Sequence, residues 1–253
     1  MNKQEYILRI DIDSNLSADL ETLKLLQRHH LINVPFENLE IHWKRPIILD
    51  TEKFYEKIVG MGRGGFCYEL NGLFNELLRE IGFKTRIVSA RVAKGSGDFG
   101  PEYDHSAIIV SIGETEYLAD VGFGAFTAEP LRFVLNEEQR DDAGVFRIVE
   151  FDDGYYEIAK KNGEGWQSEY VFKPLGRSLR EFTEMCDFQQ YSPESHFTKG
   201  KVCSLLTKSG RKTLTDKNFI VTGHGEKTET PVASNEEFDW ILMREFNIAR
   251  PQQ

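Results

Sequence analysis

The chain has 253 residues, 40% of them apolar and 28% charged, with a formal net charge of −10. That is enough for one large core or a few small domains of ordinary globular composition, and the acidic balance argues against a nucleic-acid partner, which needs a basic face. No stretch approaches the ~20 apolar residues of a membrane span, and Met1-Asn2-Lys3-Gln4-Glu5-Tyr6 carries no apolar secretion signal, so a cytoplasmic protein without a membrane partner is expected.

The first third reads as helical. Ser17 is a candidate N-cap for a helix whose apolar face is Leu20, Leu23 and Leu26, and His29 and His30 stand near its end, where cations complement the dipole. A Pro-containing loop carries Phe36 and Glu37. A second helix is expected from Thr51 to about Val59, ending at the glycines around Met61. Next comes Arg63-Gly64-Gly65-Phe66-Cys67-Tyr68-Glu69-Leu70-Asn71, in which a flexible glycine pair delivers a thiol to the start of an amphipathic helix. Leu70, Leu73, Phe74, Leu77, Leu78 and Ile81 recur at helical spacing, and Gly82 stands at the C-terminal stop. A thiol in the first turn faces unsatisfied N–H groups and the positive end of the dipole, which favours its thiolate.

From Lys84 the pattern changes to strands. Arg86 to Val92 comes first, then a hairpin spanning His105 to Asp120 around Gly113, then Val145 to Phe151, Tyr155 to Ala159 and Trp166 to Phe172, divided by Asp-Asp-Gly and Asn-Gly turns. Such a succession suggests an antiparallel barrel or sandwich. In the final segment Ser178 with Glu181, and Ser234 with Glu237, open helices by the capping-box pattern, and Val202 to Leu206 and Phe219 to Thr222 read as strands. Soft boundaries near 84 and 190 divide the chain into residues 1–84, 85–190 and 191–253.

If the hairpin turn centres on Ile112 and Gly113, Ser111 faces Glu114 and His105 falls opposite Asp120 on the same face; a one-residue shift would separate them. In that register a carboxylate orients an imidazole that can deprotonate a thiol, so Cys67, His105 and Asp120 are the candidate nucleophile, base and orienter. Each residue alone also has a structural reading. A free cysteine is often a small buried hydrophobe, a histidine at a strand start is often packed, and Asp120 could close a turn. The three cysteines, Cys67, Cys186 and Cys203, are widely spaced and fit a reducing compartment. Cys186 and Cys203 read as packed thiols. His42, His196 and His224 share no metal-ligand pattern, and no metal is expected.

The Arg63–Asn71 run resembles the nucleophile motif of the arylamine N-acetyltransferases. Val34-Pro35-Phe36-Glu37-Asn38-Leu39 resembles the segment that family carries upstream, and His105 and Asp120-Val121-Gly122-Phe123-Gly124 match its other catalytic stretches in order and spacing. The resemblance covers nearly the whole chain. It implies an α+β fold of helical bundle, antiparallel β-barrel and α/β lid, with the Cys-His-Asp site between the first two. It also implies ping-pong transfer of acetyl from acetyl-CoA, through Cys67, to an arylamine or arylhydrazine nitrogen or an N-hydroxyarylamine oxygen. Phe36 and Phe123 would contact the aromatic acceptor, and Gly122, Gly124 and Thr127 would lie along the CoA path. Arg63 and Glu37 would form a structural ion pair under the cysteine, in a monomer or homodimer. Three other readings remain open: a transglutaminase- or protease-like amidase, an amide synthase with a carrier-bound acyl donor, and a non-catalytic binding relative.

Overall fold

In the computed structural model, described for residues 1–95, 97–223 and 226–251, helices dominate the first third. Helix α1 (Lys3–Arg9) is capped by Asn2 and followed by α2 (Leu20–Asn33). The cap of α2 is Asp19 rather than Ser17. Its carboxylate accepts the Thr22 N–H at 2.9 Å, and Ser17 Oγ donates to the same carboxylate. A charged acceptor is the stronger partner for the N–H groups and dipole of a helix start. His30, expected to answer the dipole at the other end, is fully buried between Tyr6 and Phe74. Burial lowers its pKa to about 3, so it is neutral there.

Strand β1 (Phe36–Glu37) leads into the short α3 (Leu39–His42), and α4 (Thr51–Tyr55) continues as a π turn over Glu56–Gly60, where one helix to Val59 was expected. Helix α5 (Cys67–Ile81) runs as its periodicity predicts and stops at Gly82, whose φ of 111° suits a residue without a Cβ. Leu70, Leu73, Phe74, Leu77 and Leu78 are buried in the core that α5 shares with α1, α2 and the first strands of the barrel.

Eight antiparallel strands follow: β2 (Lys84–Val92), β3 (His105–Ile112), β4 (Thr115–Ala119), β5 (Leu131–Arg132), β6 (Gln139–Asp141), β7 (Gly144–Glu150), β8 (Tyr156–Asn162) and β9 (Gly165–Phe172). Their order is β5-β4-β3-β2-β9-β8-β7-β6. The two edges meet through one side chain. Arg132 N–H donates to Gln139 Oε1 at 2.7 Å, and Gln139 Nε2 donates to the Arg132 carbonyl at 2.9 Å. The sheet is thereby nearly closed into a barrel, filled by residues such as Ile109, Phe146, Ile148, Ile158, Tyr170 and Phe172.

Ser178 and Glu181 cap a 3₁₀ turn (Leu179–Phe182) that leads into α6 (Thr183–Tyr191). The remaining chain forms a meander of β10 (Val202–Thr207), β11 (Gly210–Thr215), β12 (Asn218–Gly223) and β13 (Glu226–Pro231), then α7 (Asn235–Phe246) capped by Ser234. Phe238, Ile241, Leu242 and Phe246 of α7 pack with Cys203 and Leu214. Strand β1 joins the free edge of β10, and Phe36 also bridges Gly65 in parallel. The α+β fold is therefore a helical region, an antiparallel barrel and an α/β C-terminal region, with β1 stitching the cysteine loop to the last of these. Among the described residues no helix is long and apolar enough to cross a membrane, and no cluster of His, Cys, Asp or Glu could hold a metal.

Candidate active site

Cys67 is the first residue of α5, and Glu69 in the same turn caps the helix by accepting the Phe66 N–H at 2.8 Å. The glycines before it serve close approach rather than flexibility. Gly65 N–H donates to the Pro35 carbonyl at 3.1 Å, Glu37 N–H donates to the Gly65 carbonyl at 2.9 Å, and a Cβ on Gly64 would collide with the Pro35 oxygen. The helix start alone would favour a thiolate, but the thiol is 4% exposed. Burial pushes it well above its ordinary value, with Cys186, Asp104 and Asp120 adding to the effect, while the Tyr68 N–H acts the other way. Ionising Cys67 therefore needs a base or a cation beside it.

His105 opens β3, and Asp120 directly follows β4. The pairing between these strands is displaced from the expected register: Ile112 faces Thr115 and Ser111 faces Glu116. Gly113 has φ +61° and takes the first central position of a two-residue turn, which moves the turn centre to Gly113–Glu114. A displacement of two residues keeps the face, so His105 and Asp120 become diagonal rather than direct neighbours. His105 Nε2 lies 2.7 Å from Asp120 Oδ2, with both side chains buried. Phe123 and Tyr170 flank the imidazole, with ring centroids 5.0 and 5.5 Å away.

Asp120 is held from four directions. Besides His105, Tyr170 Oη donates to Oδ2 at 3.2 Å, and Asn71 Nδ2 and the Gly122 N–H each donate to Oδ1 at 2.9 Å. Asn71 Nδ2 also donates to the Ser106 carbonyl at 2.6 Å, and Asn71 Oδ1 accepts the Val121 N–H at 3.0 Å. Asn71 is one helical turn beyond Cys67, so α5 carries both the thiol and the amide that fixes the carboxylate. Neither Asn71 nor Tyr170 was singled out from the sequence. A polar residue on the buried face of an apolar helix was the available signal for Asn71; Tyr170 gave none.

Cys67 and His105 both line a cleft of about 750 Å³. Phe36, Phe123, Phe197 and Val92 supply apolar walls, and Lys199, Lys201, Arg211 and Lys217 reach it from the C-terminal region. Of the three residues expected along a CoA path, Gly122 and Gly124 border the cleft and Thr127 does not. Thr127 is 2% exposed and accepts Gln27 Nε2 at 3.5 Å. Gly122 packs on the helix start: a Cβ there would lie 2.7 Å from Asn71 Nδ2 and 2.9 Å from Cys67 Cα. Phe66 and Tyr68 are fully buried and do not line the cleft. His196, set aside on sequence grounds, does line it, and His224 lies outside the described residues.

Arg63 and Glu37 belong to a wider buried network behind the cysteine loop. Arg63 Nη2 meets Glu37 Oε1 at 2.5 Å, Arg63 Nη1 meets Glu40 at 2.8 Å, and Lys57 meets Glu69 at 2.7 Å and Glu37 at 3.6 Å. Burial opposes the Glu37 charge, yet Lys57 and Arg63 hold its carboxyl below the usual carboxylate range. For Glu69 burial prevails, and its carboxyl is pushed up.

A family model described as N-acetyltransferase matches residues 19–252. The chain is 31% identical over 226 residues to an arylamine N-acetyltransferase of Escherichia coli K12, covering 88% of this chain and 80% of that protein. It is 34% identical over 213 residues to a Salmonella typhimurium protein named arylamine N-acetyltransferase / N-hydroxyarylamine O-acetyltransferase, covering 83% and 75%. The structure of Mycobacterium marinum arylamine N-acetyltransferase in complex with CoA superimposes with a TM-score of 0.90 at 26% identity, covering 98% of this chain and 93% of that one.

Proposed function

The chain belongs to the arylamine N-acetyltransferase family and is an acyltransferase, and from that premise we propose that it moves acetyl from acetyl-CoA to aromatic amines through an acetyl-Cys67 intermediate. The observation that carries this reading is the 2.7 Å His105–Asp120 pair beside a cleft that Cys67 also lines. With Nε2 engaged by the carboxylate, Nδ1 is the imidazole nitrogen left to exchange a proton with the thiol. A buried thiol is a poor thiolate unaided. His105 acts either as the base that removes its proton or as the cation of a thiolate–imidazolium pair.

In the first half-reaction Sγ attacks the acetyl carbonyl, the C–S bond to CoA breaks, and CoA leaves as its thiol with the proton from His105. In the second, the amine nitrogen attacks the thioester, His105 takes its proton, and Cys67 is released. The Cys67 N–H, at the first position of α5, has no acceptor within its own helix and suits the oxyanion. The apolar walls at Phe36 and Phe123 suit an aromatic ring and limit hydrolysis. The lysines and Arg211 suit the phosphates of the donor, beside the turn at Gly122 and Gly124. The same acetyl-enzyme would serve arylhydrazines and the oxygen of N-hydroxyarylamines.

Intact-protein mass spectrometry after brief incubation with acetyl-CoA tests the reading. One acetyl group is expected on the wild type and none on Cys67→Ala, with discharge by para-anisidine. No adduct from acetyl-CoA, but an adduct from a carrier-bound acyl thioester, would replace this reading with amide synthesis.

A further inference from the structure

Asp104 is the second carboxylate of the thiol's neighbourhood, and the reaction above leaves it without a role. It lines the cleft beside His105 and is fixed from behind. Oδ1 accepts Gln189 Nε2 at 2.6 Å, the backbone N–H of Val92 also reaches the carboxylate, and Gly100 packs so tightly on Oδ2 that a Cβ there would collide. Gln189 is 2% exposed, and its Oε1 accepts Ser195 Oγ at 2.7 Å. Ser195 Oγ in turn accepts the Phe197 N–H at 3.2 Å, capping the turn His196–Thr198. That turn brings His196 and Phe197 to the cleft. A buried chain of polar groups outside the Cys67–His105–Asp120 set thus ties one carboxylate to one wall of the cleft.

Charge separates the two sides. Lys199, Lys201, Arg211 and Lys217 reach the cleft from the C-terminal region, and the other lining carboxylate, Asp216, is paired with Lys201 at 3.0 Å. Among the described residues no lysine or arginine forms an ion pair with Asp104. Its charged-group neighbours are the imidazoles of His105 and His196 and, more remotely, Lys94. Burial lowers the pKa of His196 against the pull of the Asp104 charge, and burial raises that of Asp104 against the pull of both imidazoles, so among the described residues no permanent cation stands on this side of the cleft. Donor phosphates are therefore drawn to the lysines and away from this corner, which is left for the acceptor.

We infer that Asp104, held by Gln189 and flanked by His196 and Phe197, is a specificity-determining residue that selects aromatic amines bearing a second hydrogen-bond donor over those bearing a carboxylate. The inference rests on the acetyl-transfer reading above. The Asp104 carboxylate, half-buried and held in place, accepts from an amide, hydroxyl or hydrazide group on the ring, and in its ionised form it repels a ring carboxylate.

The test compares para-aminobenzamide with para-aminobenzoate, near-isosteric acceptors of similar amine reactivity, as discharge agents for one preformed acetyl-enzyme. Any effect of Asp104 on the acetylation step cancels in their ratio. Wild type is expected to favour the amide by about tenfold in kcat/KM, Asp104→Asn to reduce that preference at least fivefold, and Asp104→Glu to retain it. Equal ratios in wild type and Asp104→Asn, with normal acetylation, overturn the inference and leave acetyl transfer standing. A wild-type ratio near one overturns it even if Asp104→Asn does not fold. Absence of acetyl-Cys67 in the wild type overturns the acetyl-transfer reading and this inference with it.

Discussion

Replacing Asn71 by alanine removes a side chain that is fully buried and makes three hydrogen bonds, to the Ser106 carbonyl, to Asp120 Oδ1 and from the Val121 N–H. The variant leaves a buried N–H and a buried carbonyl short of a partner, at about 1–3 kcal/mol each, and a water in the vacated space would recover part of this. A net destabilisation on the order of 2–4 kcal/mol follows, which for a chain of this size lowers Tm by roughly 5–15 °C. Against a native stability of ~5–15 kcal/mol the variant stays folded at 25 °C, so its activity can be read. There the loss has a separate origin. The bond to Asp120 is charge-assisted and worth about 1.5–3 kcal/mol; if its contribution is positional and expressed in the transition state, acetylation slows by ~10–100-fold. Quenched-flow mass spectrometry of single-turnover acetylation, alongside calorimetry, separates the two effects. An acetylation rate within about threefold of wild type, at unchanged Tm, would show that Asp120 does not depend on Asn71 and that the four-way hold on the carboxylate has been misread.

Asp120→Asn keeps the shape of the side chain but presents an amide to His105 Nε2, which favours the wrong tautomer; acetylation is expected to fall at least about a hundredfold while the urea midpoint moves little. Arg63→Met leaves Glu37 and Glu40 buried without their shared cation, so a stability loss of about 3–5 kcal/mol is expected in urea titration, with near-normal turnover per folded molecule because Arg63 does not line the cleft. His30 is held neutral by burial, with a native pKa of about 3 below its unfolded value of ~6.5. The unfolded state therefore binds the extra proton between these values, so its contribution is full above pH 6.5 and is lost as pH falls toward 3. In His30→Leu the decline in stability from pH 6.5 to 4 should be shallower than in wild type, and an identical slope would exclude His30 as a source of acid sensitivity.

Helix α5 was legible because two signals coincide along its face and at its end: the apolar spacing and Gly82 past the last turn. The hairpin was legible as a unit but not in register, because alternation fixes only which face a residue takes, whereas the turn chemistry of Gly113 decides the partner. Strands β1, β5, β6, β11 and β13 escaped notice. The first three are only two or three residues long, β11 has one buried residue, Leu214, and β13 is exposed along its whole length, so none carries an apolar pattern. In the site, Cys67, His105 and Asp120 were visible because each is a reactive residue type. Asn71, Tyr170 and the Asp104–Gln189–Ser195 chain were not, because ordinary polar residues acquire their role from neighbours distant in sequence. Thr127, placed along the CoA path by the family resemblance, has its side chain buried and does not border the cleft.

Two residues of β1 bear on how site and fold are coupled. Successive strand residues point to opposite sides. Phe36 therefore turns into the cleft, while Glu37 turns away into the charges of Arg63 and Lys57. The same backbone is bonded to Gly65, two residues before Cys67, and to β10, whose Ser204 also lines the cleft. One wall of the cleft, the loop that carries Cys67 and the edge of the C-terminal sheet are consequently set by one short strand. Its position is fixed by a buried ion network lying outside the cleft. Damage to that network should therefore appear as lost fold, with the site retained in the molecules that stay folded.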